Sequence, residues 1–479
     1  MTSEAALGSS RSLDPAAMPI AAPSRFTKSA SNRPCNTLER IDQLIVLIDT
    51  ALTNQVNRIL HHPTFQALEA RWRGLAYLVN TTLDNRSIII KVLTASWREI
   101  CRDLDKASEF DQSHFFSLVY SQEFGMAGGK PFGLLVGDYQ VGHRINPDHQ
   151  ADDVGALRAI AGVAAAAFAP IIFEARPELL QLDHYSDLDR LPDIDNVFET
   201  LEFVRWQSLR ALEDCRFLGL LGPRILMRLP LQSYCRKRAD GFLFEEHVRS
   251  DGNELLWGNP SYAFARIVIR SFADCGWFAD LRGAPQDADL RGLVTDLPTL
   301  SFATDRPGVA VQPAVEIRLT SAQERCFSDH GLIPVGCAPF TPYVVFNSNS
   351  SLHRPNRTQS RVVNENARIG SMLQYVLCAS RFAHYLKVML RDRLGSSETP
   401  GSIEKSLNVW LRQYCVGNDD APPELKAKYP LRDASVSVRE LAGRPGVLGC
   451  TLRLQPHFQL DDVAASFQLV AGFSTSALS

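Results

Sequence analysis

The sequence lacks the features that mark membrane, secreted and nucleic-acid-binding proteins. No apolar run approaches the roughly 20 residues needed to span a bilayer, and the N-terminus contains no signal-peptide core. Lysine and arginine number 50 against 53 acidic residues, so no basic excess favours binding to nucleic acid. We therefore expect a cytoplasmic protein with no membrane insertion and no nucleic-acid partner.

Cysteine pairs and histidine clusters are also missing. The ten cysteines are scattered without a C-x-x-C pair, which predicts reduced, buried thiols. His61 and His62 are adjacent, and neighbours on a helix point about 100° apart, which argues against a shared metal ion. Pro63 suits the first turn of a helix and makes His62 the predicted N-cap. We expect neither a metal nor any other cofactor.

No complete catalytic motif is present. The stretch GMAGGKPF resembles a phosphate-binding loop, but Phe124 and Pro131 replace the required glycine and the required serine or threonine. Ser380 and His384 stand four residues apart and could meet on one helix face, yet the strand-to-helix elbow that exposes a catalytic serine is absent. We predict that the protein is not an enzyme, with a hydrolase that uses Ser380 and His384 as a distant alternative.

What the sequence does contain is an alternation of helix-like and strand-like segments. Val154 to Phe173 and Ser371 to Leu394 have the length and apolar content of packed helices, and Gly395 follows the second as a predicted stop. Short β-branched stretches predict the strands SIIIKVLTAS, GKPFGLLVGDY, GLLGPRILMRLP, GLVTDLPTLSFAT, VAVQPAVEIRL and YVVFNS. The alternation predicts a mixed α/β (α+β) fold of layered sheets flanked by helices.

The N-terminal part divides into a tail and an unusually apolar helix. Residues 1–35 are rich in alanine, serine and proline and are predicted to be disordered. Residues 36–61, with Asn36 as the N-cap, form a predicted helix that should bind a partner, because its apolar surface exceeds one face. The stripe consists of Leu38, Ile41, Ile45, Ile48, Leu52, Val56 and Ile59, and it is widened by Leu44, Val46 and Leu47.

A second amphipathic helix is expected to begin after His62. Its apolar residues recur at spacings of three and four, at Phe65, Leu68, Trp72, Leu75, and Leu78 or Val79. We expect this stripe to be buried against another element.

The C-terminal end has the pattern of a β-hairpin. ASVSVREL and LGCTLRLQP flank the turn AGRPGV, and the strand-like ASFQLVAG follows. Strand edges near a chain end can be completed by another chain through main-chain hydrogen bonds. The residues predicted to take part in such pairing are Ser435, Val436, Val438, Cys450, Leu452 and Leu454.

Several long motifs resemble the large subunit of the type VI secretion contractile sheath, the TssC/VipB/ImpC/EvpB family. They are LHHPTFQALEARWRGLAYLV, FDQSHFFSLVYSQEFGMAGGKPFGLLVGDY, GFLFEEHV, LLWGNPSYAFA, GWFADLRG, LCASRFAHYLKVMLRD and LQPHFQLDDV. The likeness follows the order of the chain and extends from about Leu38 to the C-terminus.

The resemblance implies a noncatalytic structural subunit without a cofactor. It implies pairing with the small sheath subunit (TssB/VipA) through helices, and growth of a helical polymer of the chain with itself by exchange of terminal strands. The polymer would surround the inner tube protein (Hcp) on a baseplate and contract to drive effector delivery. A non-contracting sheath-like adaptor of the same apparatus is the alternative.

The resemblance also implies a domain plan. The expected parts are a tail at 1–35, a partner-binding helix at 36–61, a central α/β sheath core at 62–370, and a C-terminal sheath domain at 371–479. The last resembles a phage tail sheath and contains the strand-exchange hairpin.

The tail departs from the family pattern. Members commonly carry a helical, acidic, leucine-containing segment near the N-terminus that the disaggregase ClpV recognises after contraction. Here Pro15, Pro19, Pro23 and Pro34 interrupt any helix. ClpV binds members of the family, but we do not expect it to bind this tail. In this respect the chain resembles a divergent paralogue of the main sheath subunit.

Overall fold

The structure is a computed structural model that describes residues 37–83, 85, 87–126, 128–145, 150–190, 194–232, 242, 244–249, 252, 254–283, 291–301, 311–339, 341–356, 358–393, 399–418, 421–440, 448–457 and 467–473. The predicted tail at 1–35, the predicted N-cap Asn36 and the predicted helix stop Gly395 lie outside the described residues.

The chain divides into two compact units, residues 1–54 and residues 55–479. The described residues of the first unit form the beginning of helix α1 (Thr37–Leu60), whose last turns belong to the second unit. The helices that follow are α2 (Pro63–Thr82), α3 (Trp97–Lys106), α4 (His114–Phe116), α5 (Asp153–Ala167), α6 (Ile194–Phe198), α7 (Val204–Arg210), α8 (Ser261–Cys275), α9 (Ser321–Asp329), α10 (Arg361–Gly370), α11 (Leu373–Arg393), α12 (Pro400–Arg412) and α13 (Pro423–Lys428).

The strands of the second unit form five small sheets among the described residues. The strands are β1 (Leu135–Val141), β2 (Ile171–Ala175), β3 (Leu218–Gly222), β4 (Ile225–Leu226), β5 (Trp257–Gly258), β6 (Leu293–Val294), β7 (Leu300–Ser301), β8 (Val311–Gln312), β9 (Leu332–Pro334), β10 (Gly336–Cys337), β11 (Val344–Val345), β12 (Leu431–Glu440), β13 (Leu448–Pro456) and β14 (Phe467–Phe473). The sheet orders are β1-β2-β3-β9, β10-β11-β6, β12-β13-β14, β4-β5 and β7-β8.

A parallel sheet in the order β1-β2-β3-β9 is the central layer of the second unit. Side chains alternate between its faces, so Phe173 packs in a core with α3 and α5 while Ile172 packs in another with α8. Strands β2 and β3 are buried along their whole length, as parallel strands covered on both faces are. The prediction of layered sheets flanked by helices is confirmed.

Helix α5 is shorter than its apolar composition suggests. Asp152 caps its start by accepting a hydrogen bond from the Gly155 amide. Phe168 adopts a left-handed conformation at φ 50°, and Pro170 cannot continue a helix. The prediction of one helix from Val154 to Phe173 was therefore wrong at its end, because Ile171 to Phe173 belong to the buried strand β2.

Three other predicted segments differ in detail. Residues 87–96, predicted as a strand, form no regular element and pair with no described strand. The stretches at 292–304 and 309–319 contain only the two-residue strands β6, β7 and β8 among their described residues. Helix α3 ends at Lys106, and helical structure resumes as α4 and a π-helical segment, Ser117–Ser121.

The C-terminal layer is an antiparallel sheet packed on α11 and α12. The predicted hairpin is confirmed, since β12 pairs with β13 with Val436 opposite Leu452 and Val438 opposite Cys450. The third strand, β14, pairs with the other side of β13. The inward side chains of β12 and β13 form one core with Phe382 and other residues of the two helices.

Candidate assembly surfaces

Helix α1 exposes most of its predicted apolar stripe. Leu38, Ile41, Ile45, Ile48, Leu52 and Ile59 are between 46% and 66% exposed, and Val56 is half-buried. Leu44, Val46 and Leu47 are between 53% and 65% exposed. Apolar side chains of this size on several faces of one helix form a contiguous water-facing surface, which is typical of an interaction site.

Helix α2 buries only the end of its predicted stripe, at Leu78, and Leu75 is half-buried. Ala70, Gly74 and Leu78 are buried, and the site of a Cβ on Gly74 would lie 2.4 Å from the Tyr262 ring of α8. The expectation that the larger stripe is buried was wrong for this chain alone. Phe65, Leu68, Trp72 and Val79 are exposed, because the small residues allow α2 to approach α8 on the other side.

The paired histidines at the start of α2 have separate structural roles. His62 is the N-cap in extended conformation with Pro63 following it, as predicted. His61 Nε2 lies 3.3 Å from a carboxylate oxygen of Glu246. Glu246 also accepts a hydrogen bond of 2.5 Å from the buried Arg228, which in turn lies 2.7 Å from Glu69 of α2. The network fixes α2 to the loop after β4.

A groove of about 1680 Å³ runs along the open edge of β1. Its lining includes β1 itself, residues 88–96, Leu68 and Trp72 of α2, and parts of α3, α8 and the π-helical segment. Ile89, Val92 and Leu93 are more than half exposed. The sequence signal for this wall was the β-branched stretch SIIIKVLTAS, but the sequence could not show that it would lie unpaired beside an edge strand.

Two carboxylates, the buried Glu174 and the half-buried Asp138, line the groove. Burial raises the pKa of Glu174 on β2 to about 7, against the opposing effect of Arg224 and the hydrogen bond from Gln140. Burial also raises the pKa of Asp138, which lies 3.3 Å from Arg71. Both carboxylates are held in place by neighbours within the chain.

The predicted strand-exchange residues lie in the C-terminal sheet. Five of them, Val436, Val438, Cys450, Leu452 and Leu454, point inward and are at most 5% exposed, and Ser435 is exposed on the opposite face. The inward side chains are thus part of the core of their own chain. Pairing with a neighbour would use the main chain of an edge strand, not these side chains.

The outer edge of β12 is already occupied by side chains of α12. Asn408 donates to the Val436 carbonyl at 2.8 Å and accepts from the Val436 amide at 2.9 Å. The Val438 amide donates to Glu404 at 2.9 Å. Strand β14 is the opposite edge of this sheet, so it is the edge that a neighbour could extend.

The structure does not join Ser380 and His384 as a nucleophile and base. His384 is 2% exposed, its Nε2 lies 2.9 Å from the Ala167 carbonyl oxygen, and burial lowers its pKa to about 4. The Ser380 hydroxyl is buried and has no hydrogen-bond partner among the described residues. The imidazole therefore does not activate the hydroxyl.

The described ranges contain neither a metal-binding cluster nor a membrane-spanning helix. There, no group of three or more histidine, cysteine, aspartate or glutamate side chains could hold a metal ion. In the same part of the chain, no helix is long and apolar enough to cross a membrane. Eight cysteines in these ranges are free thiols, and burial raises the pKa of Cys378 and Cys215 to about 12.

Two domain families match the chain. The tail sheath N-terminal domain of EvpB/VC_A0108 matches residues 42–353, and the tail sheath gpW/gp25-like domain of EvpB/VC_A0108 matches residues 362–473. Together the matches include the α2 region, the central sheet and the C-terminal layer.

Individual relatives agree with the family matches. The chain is 35% identical over 440 residues to the type VI secretion system sheath protein TssC1 of Pseudomonas aeruginosa, which covers 91% of this chain and 86% of that protein. A chain in the cryo-EM structure of the anti-feeding prophage baseplate is similar over 60% of this chain and 56% of its own length, at 10% identity. The TM-score of that likeness is 0.31, which is too low to support an argument.

Proposed function

This chain belongs to the EvpB/VC_A0108 family of type VI secretion sheath proteins, and we propose that it pairs with the small sheath subunit through helix α1. It is a structural subunit of the sheath. The proposal rests on the exposed apolar surface of α1, from Leu38 to Ile59.

The size of that surface favours an obligatory partner. Burying one leucine or isoleucine side chain stabilises a complex by about 1.5–3 kcal/mol, and the stripe holds several of them. A helix of the partner can cover such a stripe through contacts repeated at spacings of three and four residues. We assign this role to residues 36–61, with 62–370 as the sheath core and 371–479 as the C-terminal sheath domain.

Growth of the polymer is assigned to the C-terminal sheet. Because Asn408 and Glu404 occupy the edge of β12, we place exchange between neighbours at β14. A strand added there would gain main-chain hydrogen bonds without disturbing the inward core.

The remaining family roles follow from this assembly. The sheath would surround the inner tube protein Hcp on a baseplate in the cytoplasm, and contraction would exchange one packing of these interfaces for another. No step requires a bound cofactor or a catalytic residue. The prolines of the tail argue against recycling by ClpV through this chain.

The test is co-expression with the small sheath subunit of the same secretion system. Ile45→Asp combined with Leu52→Asp places two charges in the stripe, and we expect loss of co-purification and of sheath tubes in electron micrographs. Desolvating a carboxylate in an apolar interface costs several kcal/mol, enough to abolish binding.

The matched control is Gln43→Asp combined with Asn54→Asp, which adds the same charge to exposed polar positions of α1. This variant should bind and form tubes. Normal co-purification of the stripe variant would refute the role of α1. If the tubes are always found in one conformation, and never in both an extended and a contracted form, the non-contracting adaptor is favoured.

A further inference from the structure

A second, smaller cavity lies where the two matched sheath domains meet. Its volume is about 190 Å³. The domain at 42–353 contributes Ala279, Asp280 and Arg291 to its lining, and the domain at 362–473 contributes side chains of α11, α13 and the end of β13. A group bound in this cavity would therefore contact both domains.

Much of the cavity wall consists of alanine and proline. These side chains have no rotamers to exchange, so they cannot rotate to close the cavity. Cavities that stay empty in proteins are lined by apolar groups, whereas polar cavities hold water or a ligand. The polar side chains of this lining therefore decide what fills it. The small wall residues are Ala279, Ala427, Pro423, Pro430 and Pro456.

One buried amide of the lining lacks a hydrogen-bond acceptor. Gln374 lies in the first turn of α11 and is 1% exposed. Its Oε1 accepts a hydrogen bond of 3.3 Å from Asn349 Nδ2, which also donates to the Leu281 carbonyl at 3.0 Å, so the orientation of both amides is fixed. The Nε2 of Gln374 has no partner among the described residues. A buried donor of this kind is costly unless a bound group accepts from it.

The charged side chains of the lining carry an excess of positive charge. Arg291 and Lys426 are cations, and Asp280 is the acidic residue among the described lining residues. Asp280 lies 3.0 Å from Arg291 Nε, and both side chains are at least 80% buried. Their charges offset each other, so the half-buried Lys426 leaves the lining with one net positive charge.

An oxyanion satisfies this lining better than water does. Guanidinium, ammonium and amide N–H groups only donate hydrogen bonds, and a water molecule among them has few acceptors for its own two hydrogens. The oxygens of a carboxylate or phosphate only accept, and their hydrogen bonds to cations are among the strong ones. An apolar ligand would leave the Gln374 amide without a partner.

We propose that this cavity is an oxyanion site that binds a free phosphate or a small carboxylate between the two sheath domains. Gln374 Nε2, Lys426 and Arg291 are the donors, and the Asp280 carboxylate positions Arg291. Because the ligand contacts both domains, its binding would stabilise the folded chain. The inference does not depend on which partner binds α1.

Thermal unfolding of the full chain tests for the site. Sodium phosphate is titrated against sodium chloride of equal ionic strength, and we expect a saturable rise in Tm of about 1–2 °C at ten times the dissociation constant. Acetate is titrated in the same way. Saturation by phosphate identifies a phosphate ligand, and saturation by acetate alone identifies a carboxylate. Saturation by neither would overturn the proposal, because a rise that continues without saturation is the general effect of phosphate on proteins.

A matched pair of lysine variants places the response in the cavity. Lys426→Gln removes one charged donor and should weaken the apparent affinity for the anion at least about ten-fold. Lys428→Gln is the control, because Lys428 is exposed on the same helix and lies outside the lining. It should respond like the unsubstituted chain. Equal responses of the three chains would overturn the site.

Two further measurements address the buried amide and direct binding. Gln374→Glu keeps the oxygen that accepts from Asn349 and replaces the amide donor by a carboxylate oxygen, so the saturable response should disappear. Unfolding in chloride checks that this variant folds, and a normal response of the folded variant would refute the role of Gln374. Phosphorus NMR of inorganic phosphate with the unsubstituted chain needs no substitution. The phosphate signal should broaden, and an unchanged signal at concentrations that raise Tm would show that phosphate acts through the solvent only.

Discussion

Glu174 is an acidic side chain placed in the middle of a buried strand, and its titration should control the pH dependence of folding. It is 3% exposed, and burial raises its pKa to about 7 from an ordinary value of 4.5. The folded state therefore holds a proton that the unfolded state releases above pH 4.5. Stability is lost as pH rises from about 4.5 to 7, by about 3 kcal/mol in total.

Glu174→Gln should remove the loss of folding stability that occurs between about pH 4.5 and pH 7. We expect the variant to match the unsubstituted chain near pH 4 and to exceed its free energy of unfolding by about 3 kcal/mol at pH 8. Urea unfolding at several pH values measures the difference. Glu178→Gln, at a half-buried position nearby, is the control. A difference that is constant with pH would contradict the role of Glu174.

The sequence around Glu174 could not reveal this behaviour. The stretch APIIFEARP is mostly apolar and contains one acidic residue, and the sequence pattern predicts a helix through its first half. Only the packing of β2 between β1 and β3 places the carboxylate away from water and beside Arg224 and Gln140.

At the scale of elements, strand β12 depends on side chains of α12 to complete its edge. The Asn408 amide makes two hydrogen bonds to Val436. Asn408→Ala leaves both main-chain groups of Val436 without these partners, which should lower the free energy of unfolding by about 1–3 kcal/mol. It also opens an edge that other chains can pair with.

Denaturation and light scattering on the isolated chain measure these two effects. Val409→Ala is the matched control, because Val409 is the next residue of α12 and is 56% exposed. It should change the free energy of unfolding by less than about 0.5 kcal/mol. A stable and monodisperse Asn408→Ala chain would show that the edge needs no such protection.

Elements were predictable to different degrees for a physical reason. The hairpin β12–β13 and helix α1 were found because each has a clear local period. The strand expected at residues 87–96 did not form, because a strand requires hydrogen-bonded pairing and none of the described strands pairs with this stretch.

At the scale of the whole molecule, the C-terminal sheet should connect neighbouring subunits. A truncation before Ala434 would remove the whole hairpin, including the buried residues Val436 and Val438 and the buried part of β13. The C-terminal core would then unfold, so this truncation cannot test strand exchange. A truncation before Phe467 removes β14 alone and keeps the core of β12 and β13. We expect this chain to bind the small subunit and to form no tubes.

Electron microscopy of the co-expressed, purified complex measures tube formation. A chain that ends after Phe473 retains β14 and is the control, which should form tubes. Tubes of normal length from the shorter chain would contradict strand exchange at β14. Loss of heterodimers in that chain would instead mean that β14 supports the fold.

The sequence by itself determined the α/β class, the apolar excess of α1, the C-terminal hairpin and the family resemblance, because all of these are written in local periodicity or in ordered motifs. Only the tertiary structure decided which surfaces stay open. Small residues let α2 pack against α8 and leave Trp72 exposed, and α12 closes the edge of β12. The outer edge of β1 pairs with none of the described strands. These outcomes depend on which elements become neighbours in space, and that information is not contained in any single stretch of the chain.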